Sequence, residues 1–147
     1  MDLQTLLGYY TSRPSVIGLS RKLNEPVASH LKVTGLSGSA DAVLLSALFS
    51  ISPQSHLVIL NDKEEAAYFL NDVEHLLGEG KVFYFPSSYK RSFYLEDTDN
   101  GNIQMRAEVL SRFSRNAHSI IVTYPDALAE KVITRKTLEQ KIGRAHV

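Results

Sequence analysis

Residues 34–42 read Thr-Gly-Leu-Ser-Gly-Ser-Ala-Asp-Ala. A glycine turn between an extended run and a helix start is a common phosphate cradle. Backbone N–H groups and the positive end of the helix dipole face the anion there. A working loop of this kind adds a lysine for the outer phosphates and a hydroxyl for magnesium. With Gly35 as the first glycine, the last glycine, the lysine and the hydroxyl fall on Ala40, Asp41 and Ala42. All three are missing, and the lysine has become a carboxylate. Two like charges about 4 Å apart repel by roughly 4 kcal/mol at an effective dielectric near 20. The helix dipole returns only about 0.3–1 kcal/mol. Gly35, Ser37, Gly38, Ser39, Ala40, Asp41 and Ala42 therefore read as a relic phosphate loop, kept as a structural turn. The sequence predicts no bound cofactor, no metal and no catalytic residue.

Other constellations carry less. His30, His56, His75, His118 and His146 show no metal-ligand spacing. The run from Gly35 to Gly38 would need a glycine in place of Ser39 to make a nucleophile elbow. Asp62 follows an apolar run, as a phospho-acceptor aspartate would, but Lys32, Val33 and Thr34 stand where the acidic partners of such a site belong. Tyr89, Lys90 and Arg91, with Phe93 and Tyr94, combine stacking and phosphate-binding side chains, a weak nucleic-acid patch. Glu96, Asp97 and Asp99 follow at once and oppose a phosphate backbone.

The elements that must position these residues alternate. Leu3, Leu6, Leu7 and Tyr10 fall at helical spacing up to Pro14, and a second amphipathic piece covers about 15–23. His30 to Leu36 reads as a first strand running into the glycine turn. Ala40 to Ser50 reads as a helix with Val43, Leu44, Ala47, Leu48 and Ile51 on one stripe; Leu45 and Phe49 lie off it, which predicts burial on more than one side. His56 to Leu60 is a buried strand. The helix from Lys63 to Leu77 starts at an Asp62–Glu65 capping pair and stops at Gly78. Val82 to Phe85 is a third strand, followed by a polar loop to about Gly101. Helical periodicity returns over 102–115, and 119–123 is a fourth strand before a short helix opened by Pro125. Strands separated by helices imply parallel βαβ units.

The 147-residue chain suits one domain, with a helical segment over 1–30 and an α/β domain over 31–140. Sixteen acidic and sixteen basic residues cancel, which excludes a strongly basic nucleic-acid binder. The cancellation hides a local asymmetry: residues 61–80 hold six acids against Lys63 alone. With 44% hydrophobic and 22% charged residues, the composition is that of a globular domain. There is no cysteine, which excludes disulfides and thiolate chemistry and suits the reducing cytoplasm. No apolar run approaches the ~20 residues of a membrane span, and the N-terminus has no secretory pattern.

The run Gly35-Leu36-Ser37-Gly38-Ser39 is similar to the phosphate loop of UvrB, the helicase-like subunit of bacterial nucleotide-excision repair. From Thr34 onward the chain resembles the UvrB-like module at the N-terminus of bacterial transcription-repair coupling factors, where that loop is also degenerate. Further matches follow in order: LVILNDKEEAAYFLNDV at 57–73, VFYFPSSY at 82–89, NIQMRAEVLSRF at 102–113 and SIIVTYPDAL at 119–128. The resemblance covers about 100 residues. It implies a three-layer α/β domain with a parallel sheet, of the P-loop NTPase (RecA- and UvrB-like) type.

It also implies a role. Such a module is a non-catalytic scaffold in transcription-coupled DNA repair. Its parent protein is an ATP-dependent DNA translocase that engages UvrA, RNA polymerase and double-stranded DNA. ATP and magnesium belong to motor domains outside this chain. The competing reading from the residues is an NTPase or small kinase with an atypical phosphate loop. One departure stands out. UvrB inserts a long aromatic hairpin after the third strand, but only 18 residues separate Pro86 from Met105 here, too few for an extended hairpin. The chain is expected to stop near the end of the module's first segment, and Lys141 to Val147 read as an assembly scar.

Overall fold

The computed structural model describes residues 1–91, 96–115 and 117–132. Two helices, α1 (Leu3–Thr11) and α2 (Pro14–Leu23), precede an α/β body. That body runs α3 (Ala40–Ile51), β1 (His56–Ile59), α4 (Lys63–Leu77), β2 (Val82–Tyr84), β3 (Tyr89–Arg91), β4 (Glu96–Thr98), α5 (Asn100–Ser114), β5 (Ile120–Thr123) and α6 (Pro125–Ala129). β1, β5 and β2 form a parallel sheet in that order, and β3 and β4 form a separate antiparallel ribbon.

Local chemistry sets most of these boundaries. The Asp62 side chain accepts the Glu65 N–H at 2.8 Å and starts α4. The Glu65 carboxylate reaches back to Asn61, one residue beyond the usual reciprocal partner, the N-cap Asp62. Gly78, at φ 81, ends the helix in a conformation that disfavours a side chain. Asp2 and Asp99 cap α1 and α5 in the same way as Asp62, while Pro14 and Pro125 open α2 and α6.

The strand order fixes where the helices lie. β1 to β2 crosses over β5, and β2 to β5 returns in the opposite direction. Crossovers keep one hand, so a reversal of direction sends the second helix to the other face. The side chains agree. His56 points toward Phe49 of α3, with ring centroids 6.3 Å apart. Phe83 lies in the alternate row, in register with Ile121 and Leu57, and carries the Arg112 guanidinium of α5 at 3.6 Å. α3 and α5 therefore flank opposite faces. α4 packs on α3, β2 and β5, and α1 and α2 pack outside α3. α3 is buried on several sides, from Ala42 and Val43 round to Phe49, as its two off-stripe residues predict. β5 is buried along its whole length at the centre.

The expected strand at His30 to Leu36 is absent. Residues 25–37 belong to no helix or strand, and Leu31, Val33 and Leu36 are exposed. Alternation of apolar residues marks a segment fit for a strand, but a strand is a property of a pair. Neither β1 nor β2 pairs with this segment, so among the described residues the parallel sheet has three strands, not the expected four. The expected polar loop after β2 is also corrected: it contains the β3–β4 ribbon, three residues per strand, with Tyr89 opposite Thr98.

His56 makes the fold sensitive to pH. Its Nε2 is buried without a hydrogen-bond partner among the described residues, and burial holds its pKa below the ordinary 6.5. The unfolded chain takes up a proton first as pH falls. The stability linked to neutral His56 is thus complete above about pH 6.5 and is lost as pH drops through that value toward the folded pKa. Urea unfolding at about pH 7.5 and about pH 5.5 should show a smaller loss for His56→Leu than for the parent sequence. Equal losses in the two proteins would remove His56 as the cause.

Candidate functional site

The glycine turn at 35–39 leads directly into α3. Gly35 and Gly38 have φ of 83 and 57, so both take the backbone twist that the turn demands. Ser37 accepts the Ala40 N–H at 3.2 Å, and Ser39 stands at the helix cap without a side-chain cap bond. The Asp41 carboxylate accepts the N–H of Ala42 at 2.7 Å. A carboxylate thus occupies an amide that a phosphate cradle would offer to its anion. The surroundings add to the repulsion. A cleft of about 340 Å³ opens beside the turn, and its lining includes Gly38, Ser39, Asp41, Glu65, Tyr68 and Asp72. Among the described residues, no lysine or arginine lines it.

A larger cleft, about 630 Å³, lies at the carboxyl ends of the three parallel strands. Asn61 to Glu64 come from the exit of β1, Ser87 and Tyr89 from the exit of β2, and Tyr124 to Asp126 from the exit of β5. Asp99 and Asn102, at the start of α5, complete it. This is where parallel α/β sheets usually hold ligands, because neighbouring strand exits part toward opposite faces. Its charge is acidic, with Asp62, Glu64, Asp99 and Asp126 against Lys63. Burial, with Tyr124 alongside, pushes the Tyr84 phenol well above its ordinary pKa, so it remains a neutral hydroxyl behind the cleft.

One wall of this cleft is fixed by a polar network that sequence reasoning missed. Arg106 is 7% exposed. Its Nη1 donates to the carbonyls of Pro86 at 2.8 Å and Ala127 at 2.9 Å. Its guanidinium lies 4.1 Å from the Phe85 ring and 3.6 Å from the Glu130 carboxylate. Glu130 accepts hydrogen bonds from the Ser87 hydroxyl and from both the N–H and the hydroxyl of Ser88. Partial burial pushes the Glu130 carboxyl up. The serine hydrogen bonds and Arg106 outweigh that and hold it below the usual carboxylate range. Local periodicity points elsewhere: Ile103 and Phe113, apolar at helical spacing on α5, are exposed, and the buried face carries Arg106 and Val109 instead. A buried charge of this kind needs a buried partner.

The structure keeps the sequence-predicted site residues apart. Gly38, Ser39 and Asp41 line the smaller cleft, Ala42 is buried in α3, and Tyr89 stands at the larger cleft, half exposed. Lys90 and Arg91 continue β3 along the ribbon. Among the described residues there is no group of three or more acids and histidines able to hold a metal ion. Nor is any helix among them long and apolar enough to cross a membrane. No family model matches the chain, and no curated protein matches it.

Proposed function

We propose that this chain is the first segment of a UvrB-like module in a transcription-repair coupling factor, where it serves as a non-catalytic scaffold of the P-loop type. The observation that carries this reading is Asp41, whose carboxylate sits on an amide at the N-terminus of α3 instead of a lysine facing a phosphate. The acidic lining of the neighbouring cleft supports it, since a nucleotide would meet Glu65 and Asp72 as well. A second support is uncovered apolar surface. Leu57 and Ile59 of the edge strand β1 are 55% and 53% exposed, on the face that α5 leaves open. Leu31 and Val33 stand exposed in the unpaired segment before the turn. A scaffold that joins its sheet to other segments of the same module leaves such surface when taken alone. In this reading the parent protein acts in the cytoplasm on RNA polymerase stalled on double-stranded DNA, and its motor domains use ATP and magnesium.

UvrA is the partner that tests the scaffold role. The family's docking surface lies mainly on the small domain that follows this segment. The chain alone should therefore retain little UvrA in a pull-down, while a longer piece of the parent carrying that domain retains it well. With zero net charge, the chain has no long-range attraction to compensate. If the short chain keeps most of the affinity, the docking site is on this domain and the purely supporting role is wrong.

A further inference from the structure

The β3–β4 ribbon has three residues in each strand. A two-stranded ribbon of that size is marginal in water and cannot set its own orientation. What sets it must lie at its root, and the root is Ser87 and Ser88. Every polar group of these two residues is engaged. The Ser87 N–H donates to the Tyr124 hydroxyl at 2.9 Å, and the Ser87 carbonyl accepts from Asn102 at 2.8 Å. The Ser88 carbonyl accepts the Asp99 N–H at 2.9 Å, which closes the base of the ribbon. Both hydroxyls and the Ser88 N–H go to Glu130. Arg106 ties the preceding residue, Pro86, to α6 and faces Glu130.

We infer that Arg106 and Glu130 form a latch that sets the angle at which the ribbon leaves the sheet, and with it the width of the strand-end cleft. Three features separate a latch from ordinary core packing. The pair is ionic and largely buried, an arrangement that apolar residues often match in stability, so its value here is in geometry. It converges on two serines in a connection, not on the sheet. And those serines carry both Tyr89 at the cleft wall and the polar residues of β3 that follow. Arg106 and Glu130 are thus positioning residues for whatever the ribbon and the cleft contact.

Amide exchange followed residue by residue tests this on the whole chain. In Glu130→Gln, which keeps the shape and removes the charge, the Ser88 and Tyr89 amides should exchange at least about tenfold faster, while the amides of β5 and α4 keep their rates. Ser88→Ala leaves the ion pair intact and removes one hydroxyl; it should give a smaller acceleration confined to the same residues. Unchanged exchange at Ser88 and Tyr89 in Glu130→Gln overturns the latch. So does an equal acceleration in β5, which would make the pair a support of the entire fold. Should Glu130→Gln not fold, Ser88→Ala decides: local acceleration upholds the latch, and none overturns it.

Discussion

Truncating Ile120 to alanine should destabilise the chain by about 2–5 kcal/mol, a large share of the roughly 5–15 kcal/mol that holds a domain together. Ile120 opens β5, the central strand, and is wholly buried. It is in register with His56 of β1 on one side and Val82 of β2 on the other, and its N–H donates to the Lys81 carbonyl at 2.9 Å. A cavity there cannot be filled by collapse from one edge, because β1 and β2 hold it from both sides. Ile59→Ala is the matched comparison. Ile59 has the same side chain but lies on the open face of the edge strand, so its truncation should cost about 0.5 kcal/mol or less. Denaturant midpoints of the two variants measure the contrast. A cost at Ile59 approaching that at Ile120 would mean that the β1 face is covered in solution.

Reversing the charge at the 34–42 turn should not create nucleotide binding. Asp41→Lys removes a like-charge repulsion toward a nearby phosphate and supplies a cation in its place. Ala40 and Ala42 still lack the glycine and the magnesium hydroxyl, and Glu65 and Asp72 still face the cleft. The new lysine also loses the contact by which Asp41 caps the Ala42 amide. Direct titration of Asp41→Lys with Mg-ATP should therefore remain flat at sub-millimolar concentration. Binding restored by that one substitution would mean that the rest of the cradle is intact.

Features encoded within a few residues were legible in the sequence; features that join distant segments were not. The helix at 63–77 has both its ends and its apolar face written locally, in Asp62, Gly78 and the spacing from Ala66 to Leu77, and it folds over the predicted range. The replacement of the cradle's last glycine, lysine and hydroxyl by Ala40, Asp41 and Ala42 is equally legible, because it concerns three adjacent positions. Leu31 and Val33 misled because alternation reports a face, not a neighbour, and no described strand pairs with them. The ribbon was hidden in a stretch of mixed polarity, with register supplied by pairing between Tyr89–Arg91 and Glu96–Thr98. The Arg106 network joins residues on α5, the β2 exit and the residue after α6, so no local window contains it. The strand-end cleft was missed for the same reason, since four separate segments build it.

If the turn at 34–42 has lost a cradle's glycine, lysine and hydroxyl and takes no nucleotide, the chain serves as a support and not a catalyst. Isothermal titration of the purified chain with Mg-ATP, with a parallel assay of released phosphate, tests it most directly. No binding heat at sub-millimolar nucleotide and no hydrolysis above the buffer rate are expected. Saturable binding or turnover by the chain, abolished when Gly35 or Ser39 is changed, would contradict it and make the strand–turn–helix at 34–42 a working phosphate site.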